Sequence, residues 1–540
     1  MALKSIKGRL LPAANCHSTC IVVLFVLAIW LQVVKFTAAS IHLYDNVSFK
    51  EVGNSYLFSG GSEGLSSAAF KVPAVRNKED EDSPRAGGGM AYIRFENITF
   101  KRTTTMAEEH SGKKQITGVV QIVVFEAADR NNIGGSIYGG QRSICCTVDL
   151  AKLGVCKERE VIRIPSVKDN KWPIVRTAEF RGNDILTGLE DQEVLISDSG
   201  MYNLFFITCD PTLKSLTISG KTVWKNGDGY LPGRMAPLKK FYGYMTLLYL
   251  LLAALWFIQY SKFWIDVLPL QHCITAVIGL GLFEMILWYA DFTNFNNTGM
   301  RPVLITYWVV TIGALRKTLT RILVLCVSMG YGVVRPTLGG LTSKVLLLGG
   351  TYFLASEMLD ITEYVGTIND ISGRARLFLV LPDAFLDAFL IIWIFLSLSK
   401  TLEQLQMKRS SVKLEIYRKF ANALVVTVIA SLIWIVYEVY FKATDPFNEK
   451  WQSAWTITAF WDILAFALLC LICYLWAPSQ TSQRYAYSED FVEEDSEEGL
   501  SLTRTVDDDG DCLAEEKHKK AENLDTFDEH GDALEEDKRE

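Results

Sequence analysis

Seven apolar segments between Phe241 and Trp476 constrain the fold of this chain more than any other feature of its sequence. A helix needs about 20 apolar residues to cross the bilayer core, because each residue advances the helix by about 1.5 Å. Each segment is long enough, and short polar loops separate them. The sequence therefore predicts an all-α bundle of seven transmembrane helices, at residues 241–260, 270–290, 303–333, 344–364, 377–399, 420–440 and 455–476.

The amino terminus has the pattern of a secretory signal peptide. Lys4, Lys7 and Arg9 precede an apolar core at residues 21–34, and small residues follow at 37–40. A charged head, a short apolar centre and a small-residue exit predict a signal peptide over residues 1–40, with an uncleaved anchor as the alternative. In both cases residues 41–238 are expected on the lumenal side of the membrane.

Loop charge and glycosylation sequons give the same predicted topology. The loop between the fifth and sixth segments should face the cytosol, and it is rich in basic residues, as the positive-inside rule requires. Three Asn-x-Ser/Thr sequons fall in segments predicted to be lumenal, so their asparagines are candidate glycosylation sites. These are Asn46, Asn97 and Asn296.

The segment before the first helix is predicted to be an all-β domain, residues 41–238. Residues 91–100, 118–126, 200–209 and 215–224 are rich in β-branched and aromatic residues and are bounded by Gly, Asp and Asn. Several short strands over about 200 residues favour an antiparallel sandwich. Residues 59–89, rich in Gly and Ser with a charge run, are predicted to be a loop.

Four cysteines lie in the predicted lumenal domain, where disulfides can form: Cys145, Cys146, Cys156 and Cys209. A bond between the neighbours Cys145 and Cys146 would be strained. Each is therefore expected to pair with Cys156 or Cys209, unless one pair stays reduced. Cys470 and Cys473 have CxxC spacing, but they lie in one apolar segment without a second pair, so no metal site is expected.

The carboxyl-terminal tail, residues 479–540, is strongly acidic. From residue 489 onward it contains 22 acidic and 6 basic residues, so the overall net charge of −7 arises in the tail. With few apolar residues to bury, it is predicted to be a disordered cytosolic tail following a membrane domain of residues 239–478. It either keeps the terminus solvated or binds cytosolic coat or adaptor proteins.

Catalytic signatures are absent from the sequence. The six histidines are scattered, and no HExxH motif, Walker loop or nucleophile elbow occurs. The sequence therefore predicts a protein that is not an enzyme and has neither a cofactor nor a nucleic-acid partner.

The membrane segments contain ionisable residues, which are costly at bilayer depth and should face the bundle interior, water or an interface. They are Glu284, Arg316, Lys317, Arg321, Glu357, Asp360, Asp383, Asp387, Glu438 and Asp462. Three basic residues within six positions exceed what one structural ion pair requires. Either they form ion pairs between helices, with Glu284, Asp387 or Glu357 as partners, or they line a polar cavity.

Several ordered motifs in residues 200–487 resemble the GOLD-domain seven-transmembrane (GOST) family, in its transmembrane-protein-87-like and lung seven-transmembrane receptor-like branch. They are Gly229-Tyr-Leu-Pro-Gly233, Arg316-Lys-Thr-Leu-Thr-Arg321, Val327-Ser-Met-Gly-Tyr-Gly-Val-Val-Arg-Pro336, Val412-Lys-Leu-Glu-Ile-Tyr-Arg-Lys-Phe420 and Leu475-Trp-Ala-Pro-Ser479.

The resemblance implies a GOLD-like β-sandwich on a bundle similar to that of Wntless, a multi-pass location in the Golgi membrane, and a role in membrane traffic. It also implies a cavity that holds a membrane lipid, such as a phospholipid. The candidate cavity residues are Glu284, Asp291, Arg316, Lys317, Arg321, Glu357, Asp383 and Asp387. Ile457 and Thr458 stand where animal members have an acidic pair, which counts against ion conduction.

Three functions compete. A trafficking chaperone or cargo receptor would use the lumenal domain for secretory cargo and the tail for coat proteins. A pH-regulated or mechanically gated cation channel would use the intramembrane charges. A signalling receptor would suit seven helices, but Ser328-Met-Gly-Tyr331 lacks the acidic-Arg-aromatic triplet of rhodopsin-like receptors.

Overall fold

The computed structural model describes residues 40–67, 90–104, 116–136, 142–154, 156–166, 171–331, 334, 339–364, 373–408, 411–445 and 448–478. The predicted signal peptide, apart from Ser40, and the acidic tail at 479–540 lie outside these ranges, so both remain predictions. The described residues comprise a β domain followed by a bundle of long helices, which confirms the predicted fold class.

The described part of the β domain contains twelve strands. They are β1 (Ile41–Ser48), β2 (Lys50–Val52), β3 (Ser55–Leu65), β4 (Ala91–Lys101), β5 (Ile116–Glu126), β6 (Gly135–Ser136), β7 (Arg142–Ser143), β8 (Ile174–Arg181), β9 (Leu186–Gly188), β10 (Gln192–Ile196), β11 (Gly200–Thr208) and β12 (Thr217–Lys225).

Two antiparallel five-stranded sheets pack face to face. One has the order β1-β12-β4-β10, with β9 also pairing with β4, and the other has the order β2-β3-β11-β5-β8. Alternate side chains of β4 and β12 point between the sheets, where Phe95, Tyr202, Phe206 and Trp224 are buried. The four sequence-predicted strands are therefore confirmed as β4, β5, β11 and β12, and the domain is a sandwich.

A third layer covers the outer face of the second sheet. Val123, Phe125 and Ile207 on that face pack with Ile133 and Val161 from residues 127–166. Because both faces are covered, β5 is apolar at nearly every position rather than at alternate ones. Disulfide Cys145–Cys209 ties this layer to the end of β11, and Cys146–Cys156 lies within the layer, so the two neighbouring cysteines pair with Cys209 and Cys156 and not with each other, as predicted.

One local prediction for the β domain is wrong. Residues 59–65 were expected to lie in a Gly- and Ser-rich loop, but they belong to β3, which pairs with β11. A Cβ atom at Gly60 would lie 2.5 Å from the Phe206 ring on the neighbouring strand β11, so glycine here makes room for that side chain rather than giving flexibility. Residues 68–89 of the predicted loop lie outside the described ranges.

The two sheets are also joined by polar contacts near β1. Tyr44 donates a hydrogen bond to the Gly60 carbonyl oxygen at 2.5 Å, and His42 Nε2 lies 3.0 Å from Glu63 Oε1. Burial raises the pKa of the Tyr44 hydroxyl, so this group is a neutral donor at physiological pH. The β1 edge is thereby tied to β3.

Seven long helices occur among the described residues, and each matches one predicted segment. They are α1 (Ala236–Lys262), α2 (Pro269–Thr298), α3 (Val303–Ser328), α4 (Leu341–Tyr364), α5 (Gly373–Met407), α6 (Ser411–Thr444) and α7 (Trp455–Leu475). By length and apolar composition alone, α1, α2, α5, α6 and α7 are long enough to cross a membrane. The other two, α3 and α4, carry several of the ionisable residues.

The length predicted for α3 is wrong. The apolar run extends to Val333, but the helix ends at Ser328, because Gly330 adopts a left-handed conformation with φ of +80°. The Thr401 hydroxyl of α5 donates to the Ser328 carbonyl oxygen at 2.8 Å and holds this end. α3 is thus a 26-residue helix that packs against α2, α4 and α5 inside the bundle.

Candidate functional site

The three basic residues of α3 point toward different helices. Consecutive residues of an α-helix are separated by about 100°, so Arg316 and Lys317 face different neighbours. Arg316 contacts carboxylates of α2 and α7, Lys317 contacts α4, and Arg321 contacts α5. Each cation has its own carboxylate partner, which explains why one short segment contains three of them.

A buried ion pair lies at the end of α2 nearest the β domain. Gly299 ends α2 in a left-handed turn, and Arg301 then folds back over the helix. Its Nε and Nη2 atoms donate to Asp291 Oδ2 at 2.8 and 2.6 Å, and its guanidinium lies 5.6 Å from the Trp288 and Phe292 ring centres. The Asp291 side chain has no solvent exposure, so the pair is fully desolvated.

A second buried group lies deeper in the bundle. Arg316 bonds to Glu284 on α2, and its Nη2 lies 3.3 Å from Asp462 Oδ1 on α7. Tyr242 on α1 donates to Asp462 Oδ2 at 3.4 Å and stacks against Trp288 and Phe292, the two rings beside Arg301. We name these charges the closed cluster: Glu284, Asp291, Arg301, Arg316 and Asp462.

The remaining charges form a second cluster among α3, α4 and α5. Lys317 Nζ lies 2.8 Å from Asp360 Oδ2, and Arg321 Nη2 lies 3.1 Å from Asp387 Oδ2. The Thr311 hydroxyl donates to Glu357 Oε1 at 2.9 Å. We name this group the open cluster: Lys317, Arg321, Glu357, Asp360, Asp383 and Asp387.

Acceptor atoms outnumber donors in the open cluster. Glu357 Oε2, Asp383 Oδ1 and Asp387 Oδ1 are buried without a hydrogen-bond partner in the described part of the chain. Four carboxylates also face only two cations, whereas buried acceptors normally have a partner. This cluster therefore has unused capacity for a proton, water or the donor group of a ligand.

The two cations of the open cluster are partly exposed. The Lys317 and Arg321 side chains are 43% and 42% exposed, although both lie near the middle of a helix that crosses the bundle. Ionised groups at that depth cannot face hydrocarbon without a cost of several kcal/mol, roughly 2.5–3.5 or more for each. We therefore expect the exposed part of these side chains to adjoin water or lipid headgroups rather than lipid tails.

Comparison with known proteins identifies the helical part. The profile of the family described as "GOST, seven transmembrane domain" matches residues 237–483. The helical bundle therefore matches the GOST seven-transmembrane domain, and we refer to it as the GOST domain. The match supports a multi-pass membrane protein, and it falls in the part of the chain whose motifs resemble the GOST family.

Similar proteins agree with this assignment. Transmembrane protein 87A of Xenopus tropicalis is 35% identical over 288 residues, and transmembrane protein 87B of Homo sapiens is 32% identical over 287. These matches cover 52% of this chain and 52% and 51% of the relatives, so the chain spans about half the length of the animal proteins it matches. Membrane protein PTM1 of Saccharomyces cerevisiae is 24% identical over 420 residues, or 73% of this chain and 76% of that protein.

All eight residues predicted to line a cavity lie in the two clusters of the GOST domain. Glu284, Asp291 and Arg316 belong to the closed cluster, and the rest belong to the open cluster, at Lys317, Arg321, Glu357, Asp383 and Asp387. Their role in ligand binding stays a prediction. The geometry favours structural ion pairing in the first cluster and an accessible polar site in the second.

Sequence reasoning missed Arg301 completely. It lies between two apolar segments, where a charge carries no cost, and only the nearby Gly299 indicated that the chain could turn back. Asp360 and Asp462 were recognised as intramembrane charges but not as site residues, although each pairs with a cation of α3. Glu438 instead pairs with Lys442 on the same helix, at 2.6 Å.

The three sequon asparagines differ in their surroundings. Asn46 and Asn97 are exposed, and each adopts a left-handed conformation at an irregularity in β1 or β4. Asn296 is partly buried at the end of α2, and both ends of its amide are hydrogen-bonded. Glycosylation of all three stays a prediction from the sequence.

Proposed function

We propose that this chain acts in membrane and protein trafficking in the Golgi, as a cargo receptor or chaperone. The GOST domain and its relatives support a polytopic endomembrane protein. In this proposal the β domain faces the lumen and meets secretory cargo, and the acidic tail meets cytosolic coat or adaptor proteins. The protein is not an enzyme in this role and uses no cofactor.

The observation that carries the proposal is the open cluster. Its half-exposed cations and unpartnered carboxylate oxygens lie between α3, α4 and α5, where a lipid headgroup could be held. A phospholipid headgroup offers a phosphate for Lys317 and Arg321, and one with an amine or hydroxyl group also offers hydrogen-bond donors for the carboxylates. We infer that the cavity holds such a lipid in the resting protein.

Native mass spectrometry of the full-length protein purified in a mild detergent tests the lipid. We expect a phospholipid to co-purify at about one per chain and to be reduced in an Arg321→Gln variant. A Lys408→Gln variant, which removes a cation outside the cluster, is the control. Equal lipid content in the three proteins would overturn the assignment of the cavity.

Comparison of the secretomes of knockout and control cells tests the trafficking role. We expect specific Golgi cargo to be lost or delayed in knockout cells and restored by the intact chain. Imaging of the tagged protein with Golgi markers tests its location. Normal secretion together with a location outside the Golgi would contradict the proposal.

A cation channel is the second candidate, because four carboxylates in the open cluster face two cations. Purified protein in liposomes separates the two functions. We expect little cation flux; robust flux that Asp387→Asn abolishes, together with normal cargo transport, would establish the channel instead.

Protease protection and glycosidase treatment of sealed vesicles test the orientation. We expect Asn97 to carry a glycan and the tail to be digested from outside. A tail that resists the protease would refute the proposed topology.

A further inference from the structure

The β domain contacts the GOST domain at two separate places. One is the linker between β12 and α1, which lies against the end of α2. The other is the loop between α6 and α7, which enters the base of the β domain.

Asn296 makes the first contact. Its Nδ2 atom donates to the Asp228 carbonyl oxygen at 3.0 Å, and its Oδ1 atom accepts from the Leu231 amide at 3.2 Å. Its own carbonyl oxygen accepts from the Tyr230 amide at 3.0 Å. Gly229, with φ of +140°, packs against this amide, and a Cβ atom at Gly229 would overlap the Asn296 amide atoms. One asparagine thus holds four consecutive linker residues on α2.

Trp451 makes the second contact. It is 6% exposed and forms a small apolar cluster with Ala127 and Met201 of the β domain. A Cβ atom at Gly64 would lie 2.8 Å from its ring, and one at Gly233 would lie 2.5 Å from it. The Gly233 amide also donates to the Gly64 carbonyl oxygen at 2.8 Å. The indole is therefore wedged between β3 and the linker.

The two contacts hold α2 and α7, because Asn296 lies in the last turn of α2 and Trp451 lies just before α7 begins at Trp455. These are the two helices whose carboxylates, Glu284 and Asp462, share Arg316. A shift of either helix must change at least one of the two ion contacts. α4 and α5, which supply the open cluster, have no such attachment among the contacts described above.

We propose that Asn296 and Trp451 form a two-point clamp that couples the position of the β domain to the Arg316 ion contacts. In this arrangement Asn296 serves the junction and carries no glycan, although it lies in a sequon. The clamp would let an event at the β domain bias the helical bundle through α2 and α7. This inference does not depend on the cargo or the lipid.

A comparison of two substitutions separates the clamp from a glycan. Asn296→Ala removes both the sequon and the amide contacts, whereas Thr298→Val removes the sequon and the exposed hydroxyl contacts with Asn294 and Met300 but leaves the Asn296 amide in place. We expect the apparent Tm of the full-length protein to fall by several degrees in Asn296→Ala and to fall much less in Thr298→Val. We also expect Thr298→Val to leave electrophoretic mobility unchanged. A mobility increase on removal of Thr298 would show a glycan at Asn296 and overturn its assigned role.

Double-mutant cycles test the coupling to Arg316. Trp451→Phe is combined with Asp462→Asn, on α7, or with Asp360→Asn, a matched carboxylate-to-amide change on α4. For independent sites, the change in apparent Tm of the double variant should equal the sum of the two single changes to within about 1 °C. For Trp451 and Asp462 we expect the double variant to differ from that sum by about 2 °C or more. The Asp360 cycle should be additive.

Two outcomes of these cycles would contradict the proposed coupling. Additivity in both cycles would overturn the coupling, and equal departures in both would show general loosening rather than a path through α7. If Asn296→Ala does not accumulate, Asn296→Asp replaces it, because aspartate keeps the acceptor for Leu231 while it replaces the donor to Asp228 with a charged acceptor. A wild-type Tm in Asn296→Asp and additive Trp451 cycles would then both count against the clamp.

Discussion

The closed and open clusters contain the same kinds of residue and begin one position apart on α3, yet they differ in solvation and balance. In the closed cluster Arg301 and Arg316 are buried and bonded to carboxylates that have little or no exposure. In the open cluster the side chains of Lys317 and Arg321 are 43% and 42% exposed, and three carboxylate oxygens have no hydrogen-bond partner in the described part of the chain.

This difference separates a structural role from a binding role. A desolvated, fully bonded pair holds helices in register but offers nothing to a ligand. A half-exposed pair beside unsatisfied acceptors contributes less to stability and keeps its bonding capacity. Neighbouring charged residues on one helix can thus have different roles, because one points toward a buried partner that stabilises the helix packing and the next points toward a site that can bind a ligand.

Arg316→Leu should have the largest effect on stability. It leaves Glu284 and Asp462 buried without the cation that they share, and loss of one partner of a buried pair costs roughly 3–5 kcal/mol. We expect poor accumulation or a strongly lowered melting temperature in detergent. Arg316→Leu with Glu284→Gln and Asp462→Asn should recover much of the loss, and no recovery would argue against stranded charge as the cause.

Arg321→Leu is the matched change in the open cluster, one and a half turns further along the same helix. We expect a loss of roughly 1–2 kcal/mol, between the values for exposed and buried pairs, because both side chains remain partly hydrated. Co-purified lipid should fall more than it does in Arg316→Leu molecules that fold. Equal destabilisation by the two leucine substitutions would remove the distinction between the clusters.

Glu357→Gln should change stability little while altering the site. Glutamine keeps an acceptor for Thr311 and removes a buried charge, so the expected change is within about 1 kcal/mol and is stabilising if Glu357 is ionised. Thr311→Val is the control, because it leaves the carboxylate without its donor and should destabilise. A large loss in Glu357→Gln would indicate an ionic partner for this carboxylate.

Lys442→Ala should have the smallest effect. Lys442 is 59% exposed and pairs with Glu438 four residues earlier on the same helix, and helical pairs of this spacing contribute about 0.3–0.5 kcal/mol. A change in melting temperature of about 1 °C or less is expected. A loss comparable to that of Arg321→Leu would show that pairs in this bundle cannot be ranked by exposure.

Sequence patterns were sufficient for the helices and for four of the twelve described strands. Length and apolarity located all seven helices, and β-branched runs located β4, β5, β11 and β12. Errors arose where conformation depends on a partner strand or a turn. The glycines of β3 predicted a loop, but they make room for the Phe206 and Trp451 rings. The predicted α3 was too long because the apolar run continues past the turn at Gly330.

Most residues of the two clusters were predictable from the sequence, except Arg301, but their pairing was not. Burial of charge in a membrane is costly, so the sequence alone marked the ionisable residues of α2 to α5. It could not show which carboxylate each cation of α3 would meet, since that depends on the rotation and packing of four other helices.

The amino-acid sequence by itself determined that this chain has an amino-terminal β domain and a seven-helix bundle, because hydrophobic period and run length are local properties. Only the tertiary structure decided that Cys145 bonds to Cys209, that Arg301 returns to Asp291, and that the amide of Asn296 holds the linker. These contacts join residues brought together by chain direction and packing, which no local pattern encodes.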